Sequence, residues 1–328
     1  MKPEKLTKII HKFNHLKFAV LGDFALDFYY DLQIDSGELS LETQEIVHFG
    51  SKPSISLGAA GNLAKNLRNL GIQVDCFGIK GDDLFGRELD YQLEKMGLGN
   101  YLMVHPYFDT TVYSKPLINL KETNRIDFGT NNPPAKEIKL NLLNELICRQ
   151  DEYDFILLNE QINQALLSIE EIIYLEKNLN PKKVIGDFRK NGKWVNLFSL
   201  KLNLEEFNRI KQVHLSEEEL AKIKISLEHF FEGREKFVLL TLGERGLIYK
   251  DAKEDFHVEG IPKKGEIDIV GAGDMVLAGF SSALGAGASP LEALEIANMA
   301  AYLSIHQINS TGKVFPKDIL SLNNELNL

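Results

Sequence analysis

The residues with the most distinctive chemistry in this sequence form a glycine-flanked turn, Gly271-Ala272-Gly273-Asp274, ahead of an apolar run. If a helix starts here, its first backbone N–H groups have no partner inside the helix, and its dipole favours negative charge. Glycine also lets an anion approach the backbone closely. Asp274 could then accept the proton of a hydroxyl group while the amides of residues 271–273 hold a phosphoryl group. An aspartate at a helix start can equally be an N-cap, so the turn alone leaves both interpretations open.

The elements that would position this turn alternate along the chain. Apolar runs of strand length occur at 17–22, 74–79, 155–158, 183–186 and 237–242. Segments with helical periodicity or propensity occur at 58–70, 84–96, 136–149, 163–178, 216–231, 274–284 and 290–306. This alternation predicts βαβ units and a mainly parallel sheet that is covered on both faces. Sheets of this kind bind ligands at the carboxyl ends of their strands.

Two segments with a β pattern interrupt the alternation, at about 24–57 and 110–128. Parts of them alternate polar and apolar residues, and neither has the charge run or low complexity of a linker. We therefore expect a single domain over 1–328, in which these insertions form a small β-layer that acts as a lid.

The bulk composition is that of a globular protein. The 328 residues are 44% hydrophobic and 26% charged, and the formal net charge of −10 argues against a nucleic-acid partner. The two cysteines, Cys76 and Cys148, lie in apolar sequence surroundings, which favours free thiols in a reducing compartment. The sequence shows neither the apolar core of a signal peptide nor a run of about 18 apolar residues, so we expect a cytoplasmic protein with no membrane partner.

Other common catalytic motifs are absent from the sequence. It has no Gly-x4-Gly-Lys-Ser/Thr phosphate loop, no His-Glu-x-x-His zinc motif and no Gly-x-Ser-x-Gly nucleophile elbow. The lack of these motifs in the sequence argues against a P-loop kinase, a zinc metalloprotease of this type and a serine hydrolase with a nucleophile elbow.

Two motifs together resemble the signatures of one protein family. Asp268-x-x-Gly-Ala-Gly-Asp274 is similar to the C-terminal signature of the ribokinase-like (PfkB) carbohydrate kinases. The glycine-rich run at 58–71 and the Phe-Gly-x-x-Gly-Asp-Asp-x-x-Gly run at 77–86 resemble the N-terminal signature of the same family. The resemblance extends over about 17–312. It implies an α/β fold of the ribokinase-like three-layer α/β/α type, with a mainly parallel central sheet and a small β-sheet lid.

The resemblance also implies a kinase that uses ATP and Mg²⁺. Asp274 would be the general base, and Gly271, Ala272 and Gly273 the anion hole. Asn203-x-x-Glu206 matches the family motif that helps to place Mg²⁺ through water, although the same spacing is a helix capping box and both can hold at once. The implied ATP contacts are Asn203, Thr241, Gly243, Gly246, Asn298, Ser310 and Gly312. The turn at 241–246 can also be an ordinary glycine-rich hairpin connection.

The implied acceptor site lies at the start of the chain and at strand ends. Carboxylates suit sugars because each can accept two hydroxyl protons. The candidates are Asp23, Asp27, Gly58, Asn62 and Glu160, with Gln161 and Arg189 at neighbouring strand ends. Asp27 fits better than Asp23 by its spacing from Gly22. The chain departs from the family pattern at Ala59, where a second glycine is usual.

The sequence indicates the chemical identity of the acceptor less clearly than it indicates the reaction. The run at 20–30 and the segment Arg125-Ile-Asp-Phe128 resemble bacterial heptose-phosphate kinases, although Phe28 replaces an arginine usual in that group. A sugar or sugar-phosphate acceptor is therefore expected, and a heptose phosphate is the best single hypothesis. Ribo- or fructokinase-like enzymes, a nucleoside kinase and a non-catalytic sugar or nucleotide sensor remain as alternatives. Because an exposed β-layer has unpaired edges, we also expect a homodimer through the lid.

Overall fold

A large central sheet dominates the computed structural model, which describes residues 1–129, 133–162, 165–228, 236–307 and 313–326. The strands are β1 (Lys17–Gly22), β2 (Phe24–Gln33), β3 (Phe49–Ala59), β4 (Gln73–Gly81), β5 (Gly99–His105), β6 (Thr111–Ile118), β7 (Lys121–Glu122), β8 (Ile126–Phe128), β9 (Phe155–Glu160), β10 (Val184–Phe188), β11 (Ser199–Asn203), β12 (Val238–Thr241), β13 (Leu247–Lys250) and β14 (Asp255–Val258). The helices are α1 (Pro3–Ile10), α2 (Ala60–Asn69), α3 (Leu84–Lys95), α4 (Lys136–Arg149), α5 (Ile169–Asn178), α6 (Leu204–Lys211), α7 (Leu220–Glu228), α8 (Ala272–Gly285), α9 (Pro290–Ile305) and α10 (Pro316–Leu326).

The central sheet has the order β14-β13-β12-β11-β10-β9-β1-β4-β5. Neighbours from β12 to β5 pair in parallel, and β13 and β14 are added antiparallel at one edge. The strands in the middle of the sheet are nearly continuous apolar runs because both of their faces are covered. Leu157 of β9 contributes to one core cluster, with α2, α8 and α9, and Leu158 contributes to the other, with α4 to α7. The predicted mainly parallel, doubly covered sheet is confirmed.

The second sheet is built by the two insertions. Its order is β3-β2-β6-β7, and β8 pairs with β6. Asp27 lies opposite Tyr113, and Tyr29 lies opposite Lys115, so these polar side chains share one face of the small sheet. Leu26, on the other face, is fully buried in the core. The additional small sheet is therefore confirmed, and one of its faces is polar.

Some element boundaries differ from the sequence expectations. α5 begins after Ser168, which forms a capping box with Glu171, and not at 163. α7 begins at Leu220, and the predicted helical residues 163–164 and 229–231 lie outside the described part of the chain. The apolar patterns also do not predict α1, α10, β5, β11, β13 and β14, most of which are short, and the start of α6 is expected only from the capping-box spacing at Asn203. β11, for example, has only two apolar residues, Leu200 and Leu202, both on one face.

Two further expectations can be compared with the described residues. Cys76 is buried, but Cys148 is exposed on α4, so its apolar sequence neighbours do not bury this thiol. Both cysteines are free thiols. Within the described ranges, no helix has the length and apolar character needed to cross a membrane.

Candidate active site

The glycine turn opens α8 and leaves Asp274 free of a capping role. Gly271 occupies the N-cap position in a left-handed conformation, with φ of 79°. The Gly271 carbonyl accepts the Met275 N–H at 3.1 Å, so the helical hydrogen bonds start directly after the turn. Asp274 lies in the first helical turn and not at the cap. The N-cap interpretation of Asp274 is therefore wrong, and its carboxylate is available for chemistry beside the first amides of α8.

The surroundings of Asp274 bring the pKa of its carboxyl group close to 7. Burial, and secondarily the negative charge of Asp187, raise the pKa of Asp274 to about 7, while Lys201, Arg189 and Lys65 oppose the rise. A general base works best when its pKa lies near the operating pH. Perturbation by burial plus identifiable charge partners is also typical of functional sites. The position of Asp274 therefore suits proton abstraction from a hydroxyl group.

A buried ion pair lies against the start of α8. Asp187 of β10 and Lys201 of β11 are neighbours in the sheet, and their charged groups are 3.0 Å apart. Both side chains are almost fully buried. A Cβ atom at Gly273 would lie only 3.0 Å from the Lys201 ammonium, so the glycine gives this lysine room beside the turn. Lys201 therefore adds a positive charge to the backbone amides of the anion site.

The sequence motif Asn203-x-x-Glu206 opens α6 at the carboxyl end of β11. The Asn203 side chain accepts the Glu206 N–H at 2.8 Å, and the Glu206 carboxylate accepts the Asn203 N–H at 2.8 Å, which confirms the capping box. Burial and the nearby Asp187 carboxylate raise the pKa of Glu206. A cation would relieve this crowding of negative charge, and both residues offer the hard oxygen atoms that Mg²⁺ prefers. The residues present therefore fit a magnesium ion.

No group of three or more His, Cys, Asp or Glu side chains forms a metal cage among the described residues.

A cavity of about 600 Å³ adjoins the anion turn. Its wall includes Ala272 and Gly273 together with four of the residues expected to contact ATP, namely Thr241, Gly243, Gly246 and Asn298. Apolar side chains also line the cavity, among them Leu247, Ile261, Val276, Ala301 and Ile305. This volume lies in the range of small-molecule sites, and the apolar part suits a planar base. Two other expected ATP contacts, Ser310 and Gly312, lie outside the described residues.

Two details fix the shape of this cavity. A Cβ atom at Gly246 would lie 2.0 Å from the Val258 carbonyl oxygen, so only glycine fits at this turn. The Asn298 amide donates to the Glu259 carbonyl at 2.8 Å, which ties α9 to the segment after β14. The contact of Asn298 with a nucleotide stays a prediction.

Asp27 is a buried acidic residue on the polar face of the small sheet, close to the turn that leads into α2. Its carboxylate forms an ion pair with Lys115 at 2.7 Å. A Cβ atom at Gly58 would lie 3.1 Å from the same carboxylate, so Gly58 leaves space beside it. At the start of α2, Asn62 accepts a hydrogen bond from Lys65 at 3.0 Å. The structure thus brings Asp27, Gly58 and Asn62 together, as the acceptor-site hypothesis requires.

Asp23 and Glu160 differ from Asp27, because their carboxylates accept hydrogen bonds from the backbone of neighbouring loops. Asp23 accepts three backbone N–H groups, from Gln161, Ile162 and Leu166, at 2.8–3.2 Å. Glu160 accepts the backbone N–H groups of Lys190 and Asn191 and the Asn191 side-chain amide, at 2.7–3.0 Å. These bonds hold the loops that follow β9 and β10. Direct acceptor contacts by Asp23 and Glu160 stay predictions, and such contacts would compete with these bonds.

Ala59, where the family pattern has glycine, adopts a backbone conformation that favours glycine. Its φ is 49° and its ψ is −127°, directly before α2. A side chain at these angles is strained, and such strain is found preferentially at functional sites. The departure noticed in the sequence therefore lies at a strained position between Gly58 and Asn62.

Several residues of this site are not singled out by the sequence. Their local signals are weak, because each is a single charged or aromatic residue inside a strand or a helix. They are Lys65, Tyr113, Lys115, Asp187 and Lys201. The spacing of Lys201, two residues before Asn203, could have drawn attention to it, since both side chains alternate onto one face of β11.

Comparisons with known proteins identify the family of this chain. The family model described as pfkB family carbohydrate kinase matches residues 17–317. "Bifunctional protein HldE" of Hydrogenovibrio crunogenus is 27% identical over 311 residues, which cover 92% of this chain and 62% of the relative. "Bifunctional protein HldE" of Helicobacter pylori is 27% identical over 300 residues, which cover 90% of this chain and 64% of the relative. The chain thus spans less than two thirds of the length of these relatives.

Solved structures show the same fold at lower identity. Phosphofructokinase-2 from Escherichia coli in complex with potassium superposes with a TM-score of 0.79 at 15% identity, and covers 95% of this chain and 100% of its own. Ribokinase of Arabidopsis thaliana complexed with ribose and ATP superposes with a TM-score of 0.71 at 19% identity, and covers 94% of this chain and 98% of its own. The ribokinase-like fold is therefore confirmed. With the family model matching most of its length, the chain belongs to the pfkB family of carbohydrate kinases.

Proposed function

We propose that this protein transfers the γ-phosphoryl group of ATP to a hydroxyl group of a sugar or sugar phosphate. The observation that carries the proposal is the position of Asp274. Its carboxylate, with a pKa raised to about 7 by burial, lies in the first turn of α8. Ala272 and Gly273 of the same turn line a cavity of nucleotide size. A base, an anion site and a nucleotide-sized cavity therefore meet at one point.

The chemistry follows from these positions. The nucleotide occupies the cavity with its phosphates towards Gly273, and the acceptor hydroxyl approaches Asp274 from the side of Asp27. As the new bond to phosphorus forms, Asp274 accepts the hydroxyl proton. The first amides of α8 and the Lys201 ammonium stabilise the charge on the phosphoryl oxygens. A magnesium ion near Asn203 and Glu206 would supply further neutralisation of the phosphates.

The small sheet forms the other wall of the acceptor site. Its polar face carries Asp27, Tyr113 and Lys115 over the start of α2. Closure of this lid would exclude water, which otherwise competes with the acceptor for the phosphoryl group.

A phosphorylated acceptor, and a heptose phosphate in particular, fits the charges on this wall. Arg125 lies over the ring of Tyr113, at 4.6 Å from its centroid. Burial raises the pKa of Tyr113 to about 12, and the positive charges of Arg189 and Arg125 oppose the rise, so both arginines lie near this phenol. Arginine pairs suit phosphate groups because of their fork geometry, and a phosphate at Arg125 would replace Asp127, which now accepts from that guanidinium at 2.6–2.8 Å. The resemblance of 20–30 and 125–128 to heptose-phosphate kinases and the matches to proteins named HldE support the same acceptor.

Replacement of Asp274 by asparagine tests the assignment of the base. The amide keeps the shape of the carboxylate but cannot accept the proton, so we expect kcat to fall by about 10³-fold or more, with nucleotide binding preserved. Asp318→Asn, the same change in the first turn of α10, is the control and should leave kcat unchanged. Near-normal turnover of the Asp274→Asn protein would refute the assignment.

An acceptor panel tests the substrate class. ADP release is measured with a heptose 7-phosphate, fructose 6-phosphate, ribose and adenosine. Fastest turnover with the heptose phosphate supports the proposal, whereas ribose, fructose 6-phosphate or adenosine would each assign a different kinase. Tight ligand binding without turnover of any acceptor would support the sensor alternative.

We also propose that the small sheet pairs with that of a second copy of the chain. Its outer strands and the connection between β2 and β3 expose apolar side chains, including Leu41, Ile46, Phe49 and Ile126. Exposed sheet edges with apolar residues favour association. Analytical ultracentrifugation measures this directly, and a monomer at micromolar concentration would contradict the dimer. The cytoplasmic location stays a prediction.

A further inference from the structure

Lys65 is a buried lysine at the centre of the proposed site. It lies on α2, one helical turn after Asn62, and only 7% of its surface is exposed. Its ammonium donates to the Asn62 side-chain oxygen at 3.0 Å. Helix α2 packs against α8, which carries Asp274. The long side chain therefore places a cation in the space between the acceptor residues and the phosphoryl site.

The charges that face Lys65 come from four other parts of the chain. Asp27 of β2 and Asp274 of α8 attract its ammonium, whereas Lys115 of β6 and Lys313, ahead of α10, repel it. Asp27 is the strongest of these influences. The ammonium thus lies within reach of the fields of both the acceptor carboxylate and the base.

Two lysines therefore approach Asp274 from different elements. Lys201 comes from β11 and lies against Gly273, a residue that lines the nucleotide-sized cavity. Lys65 comes from α2, on the side of Asn62 and Asp27. A transferring phosphoryl group carries charge on three oxygen atoms, so cations from several directions can stabilise it together. Arg189 also contributes positive charge at Asp274, but Lys65 is the cation that is hydrogen-bonded to Asn62 of the proposed acceptor site.

We propose that Lys65 is a further catalytic residue, which binds the transferring phosphoryl group from the acceptor side. This inference rests on the proposed kinase function. The bond between the γ-phosphorus and the bridging oxygen breaks, the bond between phosphorus and the acceptor oxygen forms, and ADP leaves. The hydroxyl proton passes to Asp274, while Lys65 keeps its three protons and transfers none.

The charge state of Lys65 provides a specific readout. Burial lowers the pKa of Lys65 to about 8, although Asp27 and Asp274 oppose the fall. Lys65 is therefore a cation at neutral pH and loses its charge as the pH rises through about 8. If its cation stabilises the transition state, kcat falls on this alkaline side. An arginine at this position keeps its charge over the same pH range.

Two variants test the role of Lys65, with the panel acceptor that gives the fastest ADP release (a heptose 7-phosphate, fructose 6-phosphate, ribose or adenosine). Lys65→Met is expected to lower kcat by about 10²–10³-fold with less than about a threefold change in the acceptor KM. Lys65→Arg is expected to retain kcat within about tenfold and to lose the alkaline limb of the pH profile. Lys80→Met is the matched control, because Lys80 is also 7% exposed but pairs with Asp90 at another strand end.

The outcomes that overturn the inference are distinct. A raised acceptor KM at unchanged kcat in Lys65→Met would show a binding role only, and an unchanged alkaline limb in Lys65→Arg would exclude the cation. If Lys65→Met fails to fold, which its thermal melt reveals, the pH profile of Lys65→Arg decides alone. Absence of wild-type turnover with every acceptor would instead refute the proposed function.

Discussion

Replacing Ala59 by glycine should stabilise the protein, although glycine is normally the less stabilising residue. The φ of 49° and ψ of −127° at Ala59 lie in a region that side chains avoid, and such a position stores about 1–3 kcal/mol of strain. Glycine removes this strain but loses about 0.5–1 kcal/mol through the greater freedom of the unfolded chain. The difference is a gain of about 1 kcal/mol in the free energy of unfolding. For a chain of 328 residues, this corresponds to a rise in Tm of about 1–2 °C.

The assay is a pair of thermal and urea unfolding curves for two neighbouring variants. Ala60→Gly is the control, because Ala60 is the first residue of α2 and is fully buried. Glycine there should lower the free energy of unfolding by about 1 kcal/mol, as in other helices. Opposite signs for the two variants are therefore expected. If Ala59→Gly destabilises the protein as much as Ala60→Gly does, the strain argument is refuted.

Three further predictions concern charged residues of the site. Burial raises the pKa of Asp274 to about 7. Because the base must be ionised to accept a proton, kcat should rise as the pH increases through about 7. A flat pH profile would contradict this prediction. Lys201→Met should lower kcat by about 10²-fold and move this limb to higher pH, because Lys201 opposes the rise in the pKa of Asp274; an unmoved limb contradicts it. Asp23→Asn should lower the free energy of unfolding by about 1–3 kcal/mol, because an amide NH2 would then face backbone N–H donors; unchanged urea unfolding contradicts it.

The features that sequence reasoning predicted well depend on neighbours in the chain. The capping box of Asn203 and Glu206 uses two hydrogen bonds between residues three apart. The turn at Gly271 depends on the left-handed backbone that glycine adopts easily. The parallel sheet is also predicted from local patterns. Each strand or helix carries its own spacing of apolar residues, and the alternation of these elements along the chain indicates βαβ units.

The features that escaped prediction depend on distant parts of the chain. The sequence offers Asp23 as a second acceptor candidate beside Asp27, but it does not show that backbone groups of the loop after β9, more than 130 positions along the chain, donate to the Asp23 carboxylate. Asp187 and Lys201 meet only because β10 and β11 are neighbours in the sheet. The sequence around a single lysine or aspartate has no pattern that predicts a partner on another strand.

The sequence by itself determined the family resemblance, the class of fold and the position of the anion turn at 271–274. It left open whether Asp274 is a helix cap or a base. The tertiary structure excludes the N-cap role of Asp274, because Gly271 occupies the N-cap, and it brings the charges of Asp187, Lys201 and Lys65 to the half-buried carboxylate. The physical reason is that caps and turns are short-range hydrogen bonds, whereas a pKa and an ion pair are set by burial and by charges that only the folded chain brings together.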